Sequence, residues 1–427
     1  MFRLAFPIYV ELLTAVVAVS VIDLLWVSGL GERAVAAVTV ATTTEYLALG
    51  LFLTVQTGLT VLVGRRDGHA PIAPLIRTGW LLWAAVSLAV AVPGVLLREP
   101  LAALFAADAG TAALTADFYL VSLAGLPVFF AQGLVDGVLK GKGDTRLPMR
   151  HALICNVLVV GLDPLFIYGL GLGVQGAALA TVLARLATLG VALLSLVRHA
   201  PSDGPGRAAA GEIVRLGLPM SGDFLARALA GMVLVDVVAG FGVAAQAGYG
   251  IGSKIMLAGV MLFYALRQAT MIRTARSEPV GRPLLLGLGA GVAVAAVLNL
   301  AAAPVAGWFT GDPGPAVEFL RWMTLYLVPF GGLISVGGVM QAGGRGGRLL
   351  GVTLAGFAVQ LPLAYALSAQ AGVTGVWWSM AAGALVSLGG AVLMPGAGPG
   401  RRAGGPGRAR GRGPRSTRTA AGPRSGR

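Results

Sequence analysis

Almost everything a water-facing protein relies on is scarce in this chain of 427 residues. Charged residues make up 12% of it, about half the roughly 25% that soluble domains carry, so no arrangement of the chain gives a surface that water alone could cover. A single cysteine, Cys155, excludes an internal disulfide. The three histidines, His69, His151 and His199, fall at expected loop edges far apart in sequence, which argues against a zinc or haem site; no metal and no cofactor is expected. A nucleotide loop is lacking as well. The stretch Gly137 to Lys142, GVLKGK, is too short, and Gly143 stands where a phosphate loop needs Ser or Thr. No nucleophile, base and orienting acid occur together, so an enzyme is not expected.

What the chain has in abundance is apolar length. It is 56% hydrophobic, in runs broken by short Gly, Pro or Arg punctuation, and a helix crossing the roughly 30 Å hydrocarbon core takes about 20 such residues. The solvent is lipid. Helices are expected over 7–29, 34–63, 78–97, 117–139, 149–169, 175–197, 212–239, 249–272, 283–304, 316–341, 348–369 and 374–394. The first run carries no A-x-A cleavage site and is expected to stay as a helix.

The formal charge of +14 resembles that of a nucleic-acid binder, but its distribution follows topology. With the N-terminus inside, sixteen Lys and Arg outside the tail fall at cytoplasmic segments, against Arg33, Arg98 and Arg321 on the outer side, the bias that the positive-inside rule describes. Both termini are expected in the cytoplasm, and no nucleic-acid partner is expected. Arginine outnumbers lysine 29 to 3, the habit of a high-GC bacterial genome, so the membrane is read as a bacterial plasma membrane. Residues 395–427, with nine arginines and no acid, form a basic tail expected to be disordered.

The two halves repeat. Pro127 to Arg146, PVFFAQGLVDGVLKGKGDTR, superposes on Pro329 to Arg348, PFGGLISVGGVMQAGGRGGR, at an offset that also carries Gly173-Val174 onto Gly375-Val376. Pro7 with Glu11 matches Pro219 with Asp223 at an offset ten residues larger, so the second half is shorter somewhere between its first and fourth helices. Six helices separate equivalent positions, so the repeats share one orientation, related by a pseudo-two-fold axis along the membrane normal, with substrate expected between them. The fold class is therefore an all-α integral membrane protein of about twelve transmembrane helices: an N-lobe over 1–199, a cytoplasmic linker over 200–211, a C-lobe over 212–394 and the tail.

Seven acids fall inside these helices, Glu11, Asp23, Glu45, Asp136, Asp163, Asp223 and Asp236, where each costs on the order of 3 kcal/mol on insertion scales. Two of them have local explanations, Asp136 through Lys140 and Asp223 through Arg227, each four residues on. Asp163 precedes Pro164, which removes a backbone donor and frees a carbonyl one turn back. Asn156 lies two turns earlier on nearly the same face, and Thr181 follows a run of small residues that lets helices approach closely. Asp23 has no cation within a turn of its own helix. If it shares a cavity with Asp163, the two form a coupled pair able to load and release a proton. Glu45, Asp223 and Asp236 are weaker candidates for a substrate cavity, and Arg185, Arg227, Lys254 and Arg267 are expected to pair with these acids or snorkel.

The motifs resemble those of the multidrug and toxic compound extrusion family across residues 1–394. Ile22 to Gly31, IDLLWVSGLG, is similar to that family's first-helix signature, Gly141 to Met149, GKGDTRLPM, to its loop between helices four and five, and Asn156 to Pro164 and Gly173 to Thr181 to helices five and six. In the branch resembling the DNA-damage-inducible exporters, acids matching Asp23 and Asp163, with a threonine matching Thr181, form an N-lobe cation or proton site. The resemblance implies a monomer in membrane lipid that exports organic cations or amphipathic drugs in exchange for H+ or Na+. Family members often carry an asparagine where this chain has Val159, a departure that favours protons. Other branches carry a glutamate on helix seven, where this chain has Arg227. The alternative readings are a lipid-linked precursor flippase of the same superfamily and a scaffold without transport activity.

Overall fold

The computed structural model describes residues 1–67, 69–106, 108–199 and 210–393; the expected linker, apart from its last two residues, and the expected tail lie outside them. Among the described residues there is no strand. Twelve long helices run in chain order: α1 Phe2–Ser28, α2 Glu32–Arg66, α3 Ala73–Leu96, α4 Ala109–Gly141, α5 Arg146–Gly169, α6 Gly173–His199, α7 Ala210–Ala239, α8 Val243–Ala275, α9 Pro283–Ala306, α10 Thr324–Ala342, α11 Gly346–Ala371 and α12 Val373–Leu393. Eleven of these, among the described residues, are long and apolar enough to cross a membrane; α7, which carries five charged residues along its 30, matches them in length. Leucine and valine side chains such as Val197 and Leu300 stand exposed on the outer surface, as they must where lipid is the solvent.

The repeat is visible in the backbone. Gly31 and Gly242, at φ near +100°, turn the chain into α2 and α8, and Gly143 and Gly344, at φ +84° and +76°, do the same after α4 and α10. The missing residues of the second half also have a location. A short helix, Arg98–Phe105, stands between α3 and α4, whereas only residues 307–313 separate α9 from the next helical segment, Gly314–Trp322. The expected single helix over 316–341 is instead two segments, Gly314–Trp322 and α10, joined at Met323. Its equivalent in the first half, α4, is unbroken and begins eight residues before the expected start. Asp108 caps it, accepting from the amides of Gly110 and Thr111 and from the Thr111 hydroxyl. The Thr111 hydroxyl and these amides hold the exposed Asp108 carboxyl below the usual carboxylate range.

Each lobe has its own apolar core. That of the first half centres on Leu59, Leu126, Phe130 and Leu134, that of the second on Phe263, Phe319, Leu327 and Trp377. The lobes meet chiefly where α2 lies against α7. A Cβ on Gly217 would stand 1.7 Å from the Thr54 carbonyl oxygen, and one on Gly58 would stand 2.2 Å from that of Ile213, so both positions require glycine for backbone-to-backbone approach. The Thr54 and Ser221 hydroxyls are 2.7 Å apart across this seam. At its end Arg276, just past α8, reaches the Asp67 carboxylate at 2.5 Å and the Lys142 carbonyl at 2.6 Å, while Nε donates to Glu278. Burial opposes its charge, but the hydrogen bonds to Glu278 and Asp67 prevail and hold its proton more tightly than usual. Arg65 donates to the Ala342 carbonyl on the same face. The lobes are thus fastened at the end carrying the 67, 142 and 276 connections, the end expected to be cytoplasmic.

Candidate functional site

Helices α1, α2, α4, α5 and α6 enclose a cavity of about 240 Å³ in the first lobe. Two features of its walls interrupt regular helix. Residues Leu13–Ala18 of α1 wind as a π turn one turn before Asp23, and Leu165–Gly169 do so directly after Pro164, which has no N–H to continue the i to i−4 ladder. The Tyr168 hydroxyl from this second stretch donates to the Trp26 carbonyl and ties α5 to α1.

Asp23 lines the cavity, and Asp163 lies behind it, fully buried. Their carboxyl groups are close enough to interact. Among the described residues, neither oxygen of Asp163, nor Oδ1 of Asp23, has a hydrogen-bond partner. Asn156 and Thr181 face the same space, and among the described residues neither the Asn156 amide nor the Thr181 hydroxyl has a hydrogen-bond partner. Glu45 and Tyr46 of α2 close the wall toward the second lobe. Arg185 on α6 is within electrostatic reach of Asp23 and Glu45, but its guanidinium is stacked over the Phe129 ring at 4.0 Å from the centroid. A cation held by a ring in this way is attracted electrostatically without a hydrogen bond to either acid. The four residues Asp23, Asn156, Asp163 and Thr181 therefore come together, and Glu45 stands beside them.

The opposite end of the cavity holds a second polar group that sequence reasoning treated differently. Asp136 does not pair with Lys140. Lys140 reaches across to Glu11 of α1, Nζ to Oε1 at 2.7 Å, both buried, and Asp136 meets His151 instead, Oδ1 to Nδ1 at 3.0 Å, with Gln132 donating to Oδ2. His151, expected at a loop edge, is buried inside the lobe. A signal for it existed: His151, Cys155, Val159 and Asp163 recur every four residues and all are buried, one stripe down α5.

The remaining candidates are elsewhere. Asp223 is buried in the second lobe, accepting from Arg227 Nη2 at 3.0 Å, Arg267 Nη1 at 2.7 Å and the Thr353 hydroxyl at 2.9 Å. Its pairing with Arg227 is the one the spacing suggested; Arg267 and Thr353 are additions from α8 and α11. Asp236, expected in a substrate cavity, is exposed on α7 near its Gly240 end. Lys254 is exposed too.

Residues 7–165, from α1 through α5, match the MatE family model. An FAD transporter of Shewanella oneidensis is 26% identical over 352 residues, covering 76% of each chain. The multidrug export protein MepA of Staphylococcus aureus is 24% identical over 317 residues, 69% of this chain and 70% of its own. Among solved structures, a crystal structure of MATE in complex with MaD5 superposes with a TM-score of 0.81 at 24% identity, over 90% of this chain and 92% of that one. This likeness extends the agreement from the first five helices to the whole twelve-helix, two-lobed architecture. The chain thus matches the MatE family model over its first five helices and shares the fold of the MATE structures over nearly its whole length.

Proposed function

We propose that the protein exports organic cations and amphipathic drugs across a bacterial plasma membrane, as a monomer with both termini in the cytoplasm, in exchange for protons held by Asp23 and Asp163. The observation that carries this reading is the pair itself. Two buried carboxyl groups interact with each other, and among the described residues the oxygens of Asp163 have no donor. Such a pair holds one proton stably and releases it when its surroundings change, because two adjacent carboxylates repel. Asn156 and Thr181 offer the neighbouring polar contacts, and Val159 in place of an amide leaves a sodium ion one ligand fewer.

In the transport cycle, a proton arriving at the pair neutralises the acidic wall and releases a cation bound against it; loss of that proton to the other side restores the wall for the next substrate. The fastening of the lobes at one end supports alternating access, with the 67, 142 and 276 connections closed in this conformation. The two relatives' names, one for FAD and one for multidrug export, fit a fold in which the cavity sets the cargo.

Reconstitution into liposomes tests the proposal. Under an imposed pH gradient, wild type is expected to move ethidium, and Asp163→Asn, which keeps the shape but cannot ionise, is expected to lose that movement. Gradient-driven transport that survives in Asp163→Asn overturns the assignment. No ethidium movement by wild type would overturn cation export and return the lipid-precursor reading.

A further inference from the structure

The second lobe presents the opposite polarity to the first. Asp223 is held by two arginines, Arg227 through Nε and Nη2 and Arg267 through Nη1. One carboxylate against two guanidinium groups leaves one positive charge uncompensated. Among the described residues no other carboxylate is within salt-bridge distance of Arg227, whose Nη2 also donates to the Thr353 hydroxyl at 3.3 Å.

That surplus charge is not spread evenly. Arg267 is 1% exposed and wedged beside Gly337, whereas the Arg227 side chain is 16% exposed and lies over the rings of Phe330 and Phe357, 5.0 and 5.9 Å from their centroids. One turn before Arg227 on α7, the ring of Phe224 stacks on Tyr46, the α2 residue that closes the N-lobe cavity. Residues three apart share a helix face, so Arg227 lies on the side of α7 that meets α2 through Phe224 and Tyr46. Arg267 Nε and Nη2 are buried without hydrogen-bond partners among the described residues, so the pair retains donor capacity that Asp223 does not use. A buried positive charge with free donors is costly unless an anion meets it, and a planar guanidinium backed by aromatic rings suits a carboxylate or phosphate attached to an aromatic body.

We propose that Arg227, fixed by Asp223 and backed by Arg267, is an anion-binding subsite of the interlobe cleft that takes the carboxylate or phosphate of an aromatic substrate. It deepens the export reading and rests on it for the path, but binding can be measured without a gradient. Facing the acidic first lobe, such a subsite makes the cleft selective for compounds carrying both charges at opposite ends.

Rhodamine B, which has a free carboxylate, and its ethyl ester, which does not, form a matched pair of probes for equilibrium binding to the full-length protein by fluorescence polarisation. Arg227→Gln is expected to weaken rhodamine B at least tenfold and the ester less than twofold, with Arg227→Lys between. An equal loss for both dyes, or an unchanged ratio of their affinities, overturns the subsite and leaves Arg227 as packing. Should Arg227→Gln not fold, wild type decides alone: phenyl phosphate displacing rhodamine B while phenol does not supports the subsite, and equal displacement by the two overturns it. Asp163→Asn is expected to leave the dye ratio unmoved, so proton coupling and the subsite fail separately.

Discussion

The Lys140 to Glu11 pair offers a quantitative test of how the first lobe is held together. The two charges are 2.7 Å apart, and their side chains are 3% and 11% exposed, so neither can turn to water if the other is lost. Removing one member of a buried pair costs about 3–5 kcal/mol, most of it the desolvation of the survivor. A chain of this length loses about 1–2 °C of melting temperature per kcal/mol by the inverse scaling with size, so Lys140→Met is expected to melt roughly 3–10 °C below wild type. Removing both charges leaves no orphan. Glu11→Met with Lys140→Met is therefore expected to recover to within about 2 °C, since apolar groups of similar volume replace a buried pair at little cost. The measurement is thermal unfolding of the purified protein in detergent, followed by tryptophan fluorescence across the single and double variants. A double variant as unstable as the worse single one, or a Lys140→Met that melts with wild type, would refute the argument from desolvation.

Other expectations follow from the seam and the helix surfaces. Gly217→Ala would place a methyl group against the Thr54 carbonyl and is expected to cost about 1–3 kcal/mol of overpacking, whereas Gly231→Ala on the same helix meets nothing within 4 Å and is expected to gain about 0.5–1 kcal/mol; paired melting curves compare them. Arg276→Gln removes the contacts to Asp67 and the Lys142 carbonyl, so spin labels at His69 and Arg282, in a background lacking Cys155, should report a broader distance distribution than without the substitution; an identical distribution would show the clamp to be idle. Asp236→Asn, at an exposed position, is expected to leave ethidium export within about twofold, and a tenfold loss would return Asp236 to the transport path.

Much of the architecture is legible in the sequence because lipid imposes a simple code in which apolar length sets the helices. The helix starts were harder to read. α4 begins early because Asp108 caps a stretch of small residues that carries little hydrophobic signal, and the break at Met323 leaves no mark in an apolar run. At the candidate site, Asn156, Asp163 and Thr181 could be placed near one another from spacing, while Asp23 joined them only through a conditional shared cavity and the family resemblance. The partners of the other acids could not, because an i,i+4 neighbour competes with any charge on another helix. Lys140 is four residues from Asp136 and bonds Glu11, 129 positions away. Asp223 shows the reverse outcome, keeping Arg227 and adding Arg267. Charge counting along one helix also hid the positive surplus of the second lobe, which exists only once α7 and α8 are side by side.

The glycine seam between α2 and α7 has a mechanical meaning. Where helices meet through interlocking side chains, any rotation must lift knobs out of holes, and the barrier is paid at every step. At Gly58 and Gly217 the touching surfaces are main chain against main chain, smooth along the helix axes and free of rotamers. Such a joint works as a bearing: it fixes the distance between the lobes while leaving their angle free, so the conformational cycle is governed by the few polar ties at its rim rather than by the contact that carries the load.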